Sequence, residues 1–204
     1  MAAPFTAFLD RDGVFNPDPP FGLRSPARLR LLPGAAAALA RLNRAGVRTC
    51  LVTNQPWVGV LSATPGMVHR VHARLAQLLA QEGARLDRVE VAFAPPFLGG
   101  LPRRFPGRFH ALRRRKPMPG MLEDAARAWA QAGESFDRGR AVMVGDTMRD
   151  AGAAHAFGIP CILLSTTHSE PELRAALHAA RLGVHRILPD FAAAADEILR
   201  MAQG

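Results

Sequence analysis

The sequence contains few cysteines: Cys50 and Cys161 are the only two among 204 residues. Two cysteines exclude a framework of several disulfide bonds and a cysteine-rich zinc cage. Each lies within a short apolar run, as is typical of a small side chain in a buried core. We therefore interpret both cysteines as core residues.

The sequence also lacks long apolar runs. None of its apolar segments approaches the roughly 18–20 residues that a membrane-spanning helix needs. The segment from Met1 to Phe8 has neither a basic residue nor a long apolar core, unlike a secretory signal. We therefore expect a cytoplasmic protein that has no membrane partner.

Lysine is almost absent, although the chain has 26 basic against 17 acidic residues and a formal charge of +9. Lys116 is the only lysine, so arginine supplies nearly all of the positive charge. Such a charge can indicate an anionic partner, such as nucleic acid or a phosphate ester. The richness in Ala, Gly and Pro instead favours a compositional bias spread over the surface, with residues 113–116 as the exception to consider.

The length of the chain favours one domain over residues 1–204. Short, nearly continuous apolar runs predict strands at 5–9, 47–52, 89–93, 141–144, 159–164 and 186–188. Helical patterns between them predict helices at 34–45, 67–81, 120–132, 169–181 and 191–201. Continuous apolar strands that alternate with helices are typical of a parallel sheet covered on both faces. The pattern therefore predicts an α/β fold with a doubly wound parallel sheet.

Two stretches, 16–33 and 94–119, show no clear periodicity and are rich in proline. Loops of this length in a compact domain are usually functional or mobile. Neither stretch is long enough to form a separate domain of typical size, so we expect no large cap domain. We expect substrate-facing loops at about 16–33, 55–64 and 94–117.

Polar clusters follow the predicted strands or close the long loop, at 10–13, 53–55, 115–117 and 145–150. Ligands of open α/β sheets bind at the carboxyl ends of the strands. A carboxylate there can act as a nucleophile towards phosphorus, and a second acid can protonate the leaving oxygen. Carboxylates also suit magnesium, while lysine and hydroxyl donors suit phosphate oxygens. Each cluster alone is weak evidence for a function, but the four clusters in this order indicate phosphoryl transfer.

The four clusters read Asp10-Arg-Asp-Gly-Val-Phe-Asn16, Val52-Thr-Asn-Gln55, Arg115-Lys-Pro117 and Val144-Gly-Asp-Thr-Met-Arg-Asp150. They resemble the four motifs of the haloacid dehalogenase (HAD) superfamily. The first three are most similar to the small-capped branch of heptose-bisphosphate phosphatases, histidinol-phosphate phosphatases and polynucleotide 3'-phosphatases. The resemblance implies a Rossmann-like core and a magnesium-dependent phosphomonoesterase with an aspartyl-phosphate intermediate. The implied substrate is a small phosphorylated metabolite, such as a heptose bisphosphate, and we expect a monomer.

The resemblance also implies a role for each acidic residue. Asp10 corresponds to the nucleophile and Asp12 to the general acid and base. Magnesium would be held by Asp10, the backbone carbonyl of Asp12 and Asp146. Asp150 would support these ligands from outside the coordination sphere.

Further residues are implied in substrate binding. Thr53 and Lys116 correspond to residues that hold the phosphate group, with Asn54 beside it. Arg115 corresponds to a position that touches the substrate in heptose phosphatases.

The chain departs from the family at the positions of a zinc loop that many members carry. These positions hold Ala94, Pro96, Leu112 and Arg114, so no zinc-ligand set remains. The loop after Gln55 also differs, because the family's usual glycine two residues later is replaced by Trp57.

Two alternatives stay open from the residues themselves. A nucleic-acid end-processing phosphatase would explain the arginine-rich loop 103–115 and Trp57 as a stacking residue. It is less favoured, because only Phe105 and Phe109 interleave those arginines and arginine is abundant throughout. A phosphoacceptor receiver domain is the non-enzyme alternative, but the second aspartate after the first strand favours turnover.

The purified protein should contain no tightly bound zinc, because the four positions of the zinc loop offer neither thiolate nor imidazole. Elemental analysis of protein that has been dialysed against a weak chelator tests this expectation. About one zinc per chain, bound through protein ligands, would show that the 94–114 segment has been misinterpreted.

Overall fold

The computed structural model describes residues 3–18, 22–23, 25–56, 58, 64–94 and 108–204. Its centre is a six-stranded sheet with the order β3-β2-β1-β4-β5-β6, in which every strand pair is parallel. The strands are β1 Thr6–Leu9, β2 Arg48–Asn54, β3 Arg88–Ala92, β4 Ala141–Gly145, β5 Cys161–Leu164 and β6 Arg186–Leu188. The order along the chain reverses direction next to β1, so β1 and β4 border the switch point of a doubly wound sheet. The predicted fold class is confirmed.

Seven α-helices occur in the described residues, and five of them correspond to predicted helices. The helices are α1 Ala35–Arg44, α2 Pro65–Gln81, α3 Arg108–Arg114, α4 Gly120–Gln131, α5 Met148–Phe157, α6 Glu170–Ala180 and α7 Phe191–Gln203. The sequence analysis did not predict α3 and α5. Helix α3 lies in a stretch that was expected to be a loop, and that expectation was wrong for residues 108–114.

The sequence pattern did not predict helix α5, because small residues dominate the buried side of this helix. Ala151, Ala153 and Ala154 are buried together with Phe157, so the apolar pattern has little amplitude. A capping box starts the helix: the Thr147 side chain accepts the backbone N–H of Asp150, and the Asp150 side chain accepts the backbone N–H of Thr147.

The continuous apolar strands are explained by burial of both faces of the sheet. Ala7 and Leu9 of β1 belong to one hydrophobic cluster with α1, α2 and α7. Phe8, which points the other way, belongs to a second cluster with α4, α5 and α6. Cys50 and Cys161 are free and buried in this second cluster, as the sequence predicted.

The predicted substrate-facing loops are described only in part. Residues 26–28 form a short 3₁₀ helix within the first of them. Trp57, Pro96 and Phe105 lie outside the described residues, as does most of the segment between β3 and α3. Within the portions of the chain that are described, no helix combines the length and apolar character needed to cross a membrane.

Replacing Phe8 by alanine should destabilise the fold by about 3–5 kcal/mol, because the ring is fully buried and the cavity could close only in part. Its ring centroid lies 5.9 Å from that of Trp129, 6.1 Å from that of Phe136 and 5.9 Å from that of Phe157. Urea denaturation followed by circular dichroism measures the change. Phe109→Ala is the control, since Phe109 is 69% exposed and its loss should change stability by less than about 0.5 kcal/mol. Equal effects of both substitutions would contradict the assignment of this core.

Candidate active site

The carboxyl ends of the central strands bring the predicted polar residues to one edge of the sheet. Asp10 directly follows β1, and its backbone N–H donates to the carbonyl of Val144 in β4 at 2.9 Å. Asn54 is the last residue of β2, and Asp146 directly follows β4. Because the three strands are parallel neighbours, their ends place these side chains side by side.

Lys116 is the buried cation of this edge, and its side chain is only 2% exposed. Its Nζ lies 2.9 Å from Oδ2 of Asp10 and 2.6 Å from Oδ1 of Asp150. Burial alone would lower the pKa of Lys116, but the carboxylates of Asp10 and Asp150 outweigh burial and raise that pKa. The ammonium group is therefore charged and bridges the end of β1 and the first turn of α5.

Asp10, Asp146 and Asp150 form an acidic triad whose carboxylate oxygens lie within 4.8 Å of one another. Burial is the main reason that the pKa of Asp10 is raised to about 8, although Lys116 opposes the rise. Burial, followed by the Asp150 charge, likewise raises the pKa of Asp146 to about 6. With one lysine against three carboxylates, the ionised site carries two excess negative charges. These oxygen donors fit a divalent cation such as magnesium, which would neutralise that excess.

The close approach of Asp146 requires glycine at position 13. Gly13 has a φ of +76°, and a Cβ atom there would lie 2.1 Å from Oδ2 of Asp146. The hydroxyl of Thr167, in the loop after β5, donates to the same carboxylate oxygen. Thr167 was not among the predicted site residues, because no motif points to that loop.

Asp150 uses both of its carboxylate oxygens within the protein. Oδ1 accepts from Lys116, while Oδ2 accepts from the backbone N–H of Thr147 at 3.1 Å and from its hydroxyl at 2.7 Å. Asp150 thus starts α5 and orients Lys116. The supporting role that the resemblance implied for Asp150 stays a prediction.

The Asp12 carboxylate lies outside the triad and is held by three neighbouring side chains. Arg11, which is fully buried, donates to it through Nε at 3.1 Å and through Nη2 at 2.7 Å. Asn16 Nδ2 donates at 2.8 Å, and Gln55 Nε2 donates at 3.2 Å. Gln55 Nε2 also donates to Oγ1 of Thr53 at 2.9 Å, which places Asp12 next to Thr53. Arg11, Asn16 and Gln55 stood inside the predicted motifs, but the sequence did not reveal their partner.

Asn54 is engaged with the backbone of Lys116. Its Oδ1 accepts from the Lys116 N–H at 3.0 Å, and its Nδ2 donates to the Lys116 carbonyl at 3.1 Å. Both ends of the amide are therefore used to hold Lys116. The predicted place of Asn54 beside the phosphate stays a prediction, and its contacts show a residue that positions Lys116.

The arginine run before Lys116 divides into two parts. Arg113 pairs with Glu123 and Asp124, and Arg114 pairs with Glu90 and Asp124. These two charges are neutralised within the protein, which removes much of the support for a nucleic-acid-binding surface at this run.

Arg115 faces a different environment. It donates through Nη1 to the Ala94 carbonyl at 2.9 Å. Burial, followed by the positive charge of Arg149, lowers the pKa of Arg115.

The described zinc-loop positions offer no metal ligand of the expected kind. Ala94 is a buried apolar residue, Leu112 is aliphatic and Arg114 is ion-paired. Pro96 falls outside the described part of the chain. In the ranges that are described, the group of three acidic, histidine or cysteine side chains that could hold a metal is the acidic triad.

Comparisons with known proteins agree with this geometry. Residues 113–194 match the family model described as HAD-hydrolase-like. A D-glycero-beta-D-manno-heptose-1,7-bisphosphate 7-phosphatase of Rhodopseudomonas palustris is 38% identical over 155 residues, which cover 76% of this chain and 79% of the relative. A D-glycero-D-manno-heptose-1,7-bisphosphate 7-phosphatase of Chlorobaculum tepidum is 32% identical over 197 residues, which cover 97% of this chain and 92% of that relative.

A solved structure shares the whole architecture. It is the D,D-heptose 1,7-bisphosphate phosphatase of B. bronchiseptica in complex with magnesium and phosphate, with a TM-score of 0.77 and 29% identity. The match covers 97% of this chain and 99% of that one. The chain therefore belongs to the heptose-1,7-bisphosphate phosphatase family of HAD-like hydrolases and is an enzyme that hydrolyses phosphoric monoesters.

Proposed function

We propose that this enzyme removes the 7-phosphate of a D-glycero-D-manno-heptose 1,7-bisphosphate with magnesium, through a phosphoaspartate at Asp10. The observation that carries the proposal is the buried contact of Lys116 with Asp10 and Asp150 beside Asp146. Such a cluster combines a nucleophile, a phosphate-binding cation and metal ligands at one strand edge. We further propose that residues 1–204 act as a single domain and as a monomer.

Asp10 is the proposed nucleophile. Its Oδ1 accepts the Arg11 backbone N–H at 2.7 Å and its Oδ2 faces Lys116, so both oxygens are fixed in direction. In the first step an Asp10 oxygen forms a bond to phosphorus, and the bond from phosphorus to the sugar oxygen breaks. The leaving alkoxide takes a proton from Asp12.

Asp12 is the proposed general acid and base. In the second step its carboxylate removes a proton from water, the water oxygen attacks phosphorus, and the bond to Asp10 breaks to release inorganic phosphate. The contacts from Arg11, Asn16 and Gln55 fix the orientation of this carboxylate. Because Gln55 binds Asp12 and Thr53 together, the acid and base stays beside the proposed phosphate site.

The phosphate group is proposed to bind Lys116 and the hydroxyl of Thr53. The charge that develops on the phosphoryl oxygens is stabilised best by donors that are already in place. Asn54 fixes the Lys116 backbone by two hydrogen bonds, and Asp150 fixes its ammonium group.

The proposed magnesium ligands are Asp10, Asp146 and the backbone carbonyl of Asp12. A bound magnesium ion supplies positive charge to the reacting phosphoryl group. Two observations support a magnesium site: the ionised triad carries two more negative charges than Lys116 balances, and all of its donor atoms are oxygens.

The proposed substrate follows from the relatives and from the charges around the site. Both curated relatives are named for a heptose 1,7-bisphosphate, a substrate with a second phosphate group. Arg115 is next to Lys116 in the chain and the charge of Arg149 acts on it, so a second anionic group of the substrate would be favourable there. Arg115 is therefore the proposed contact to the part of the substrate outside the reacting phosphate.

The enzyme should release inorganic phosphate faster from heptose 1,7-bisphosphate than from histidinol phosphate or a 3'-phosphorylated oligonucleotide, and only with a divalent ion. Asp10→Asn should abolish release in every case, because an amide is a poor nucleophile and a neutral ligand. Asp196→Asn, an exposed change on α7, is the matched control and should leave the rate unchanged. A malachite-green assay measures the rate of phosphate release for each substrate and each variant, with and without the divalent ion. Preference for the oligonucleotide, or hydrolysis that survives thorough chelation, would refute the proposal.

Lys116→Arg should lower kcat/KM by about 10²-fold or more, although the charge is kept, since this is the scale of a misplaced transition-state donor. The compact ammonium group fits between Asp10 and Asp150, whereas a guanidinium is a wide planar fork. The rate on p-nitrophenyl phosphate tests the site without depending on the sugar. Arg44→Lys, an exposed exchange at the opposite edge of the sheet, is the control. Wild-type kcat/KM in Lys116→Arg would exclude Lys116 from the phosphate site.

A further inference from the structure

A network of ion pairs joins β3, α3 and α4 just before Lys116. We call it the arginine network, and its members alternate in charge. They are Arg88, Glu90, Arg113, Arg114, Glu123 and Asp124.

Arg114 is the residue that links the two sides of the network. Its Nη2 donates to Oε2 of Glu90 at 2.7 Å and to the carbonyl of Val91 at 3.1 Å, both on β3. Its Nη1 donates to Oδ2 of Asp124 on α4. One planar guanidinium therefore ties a strand to a helix, which a lysine ammonium could not do with the same geometry.

The network has little access to water at its acidic members. The side chain of Glu90 is 7% exposed, and that of Asp124 is 11% exposed. Removing one cation from such carboxylates costs more than removing it from an exposed pair, even though Arg88 still faces Glu90 and Arg113 still faces Asp124. The ion pairs of Arg114 are therefore stronger constraints than pairs on an open surface.

The ion pairs of Arg114 lie close to the active site along the chain. Arg114 precedes Lys116 by two residues, and the Lys116 backbone is bound on its other side by Asn54 of β2. The end of α3 also packs closely on the start of α4, since a Cβ atom on Gly120 would lie 2.4 Å from the Arg113 carbonyl. The backbone at Lys116 is thus fixed from β2 and, through Arg114, from β3 and α4.

We propose that Arg114, through Glu90 and Asp124, is a positioning residue for Lys116. The ion pairs hold the segment that enters the active site, so that the ammonium group stays between Asp10 and Asp150. This proposal rests on the phosphate-binding role proposed for Lys116.

Arg114→Met is the test, and Arg127→Met is its matched control. Both substitutions remove a guanidinium that pairs with Asp124, but Arg127 is 57% exposed and lies within α4 itself. On p-nitrophenyl phosphate, Arg114→Met should lower kcat/KM by about 10-fold or more, the scale on which displaced catalytic groups lose rate. The inhibition constant of inorganic phosphate should rise in parallel. Arg127→Met should match the wild type in both quantities.

A double substitution separates positioning from a general loss of structure. In a Lys116→Arg background, adding Arg114→Met should change kcat/KM by no more than about twofold, because the effect passes through a side chain that is already displaced. A full further loss of about 10-fold, or equal kinetics of Arg114→Met and Arg127→Met, would overturn the positioning role. If Arg114→Met fails to fold, Asp124→Asn weakens the same contact with little change of shape and carries the same expectation.

The outcomes also separate this proposal from the proposed function. Full activity of Lys116→Arg would refute the phosphate site itself. An inactive Lys116→Arg together with a fully active Arg114→Met would leave the phosphatase mechanism intact and overturn only the role of the arginine network.

Discussion

The buried ammonium group of Lys116 between Asp10 and Asp150 is the interaction on which the rest of the active site depends. It joins the end of β1 to the start of α5 through one side chain. Without it, the carboxylates of Asp10, Asp146 and Asp150 would face one another without the ammonium group that pairs with two of them, an arrangement that burial makes unfavourable. Asn54 holds the Lys116 backbone and Thr147 holds Asp150, and Arg114 is the residue proposed to fix the segment that precedes Lys116.

The sheet allows Lys116 to contact both carboxylates, because Asp10 follows β1 and Asp150 follows β4, and these two strands are neighbours at the switch point. Strands β1 and β4 are buried on both faces, so their polar successors can lie only at the strand ends. Gly13 then permits the turn after Asp12 to pass close to Asp146. The hydrophobic core and the charged site are therefore consequences of the same apolar runs.

Sequence patterns predicted the strands, five of the helices and the polar clusters, because these depend on local periodicity and on residues next to strand ends. Helix α5 was missed since alanine and glycine leave its pattern weak, and α3 was missed within an apparently irregular segment. The partners of Asn54 and Arg114 could not be predicted either. Asn54 and the Lys116 backbone that it binds are 62 positions apart in the sequence, and Arg114 and Glu90 are 24 positions apart, so only the folded chain brings them together. The residue types were visible in the sequence, but their pairing was not.

Asp150 belongs to two structures at once, since one oxygen caps the first turn of α5 and the other binds Lys116. Fraying of that turn would release the restraint on the ammonium group, so helix and site must open as a cooperative unit. Slow amide exchange at the start of α5 is thus expected to report on the integrity of the active site. A helix cap, usually a detail of local stability, here couples the local unfolding of the protein to its chemistry.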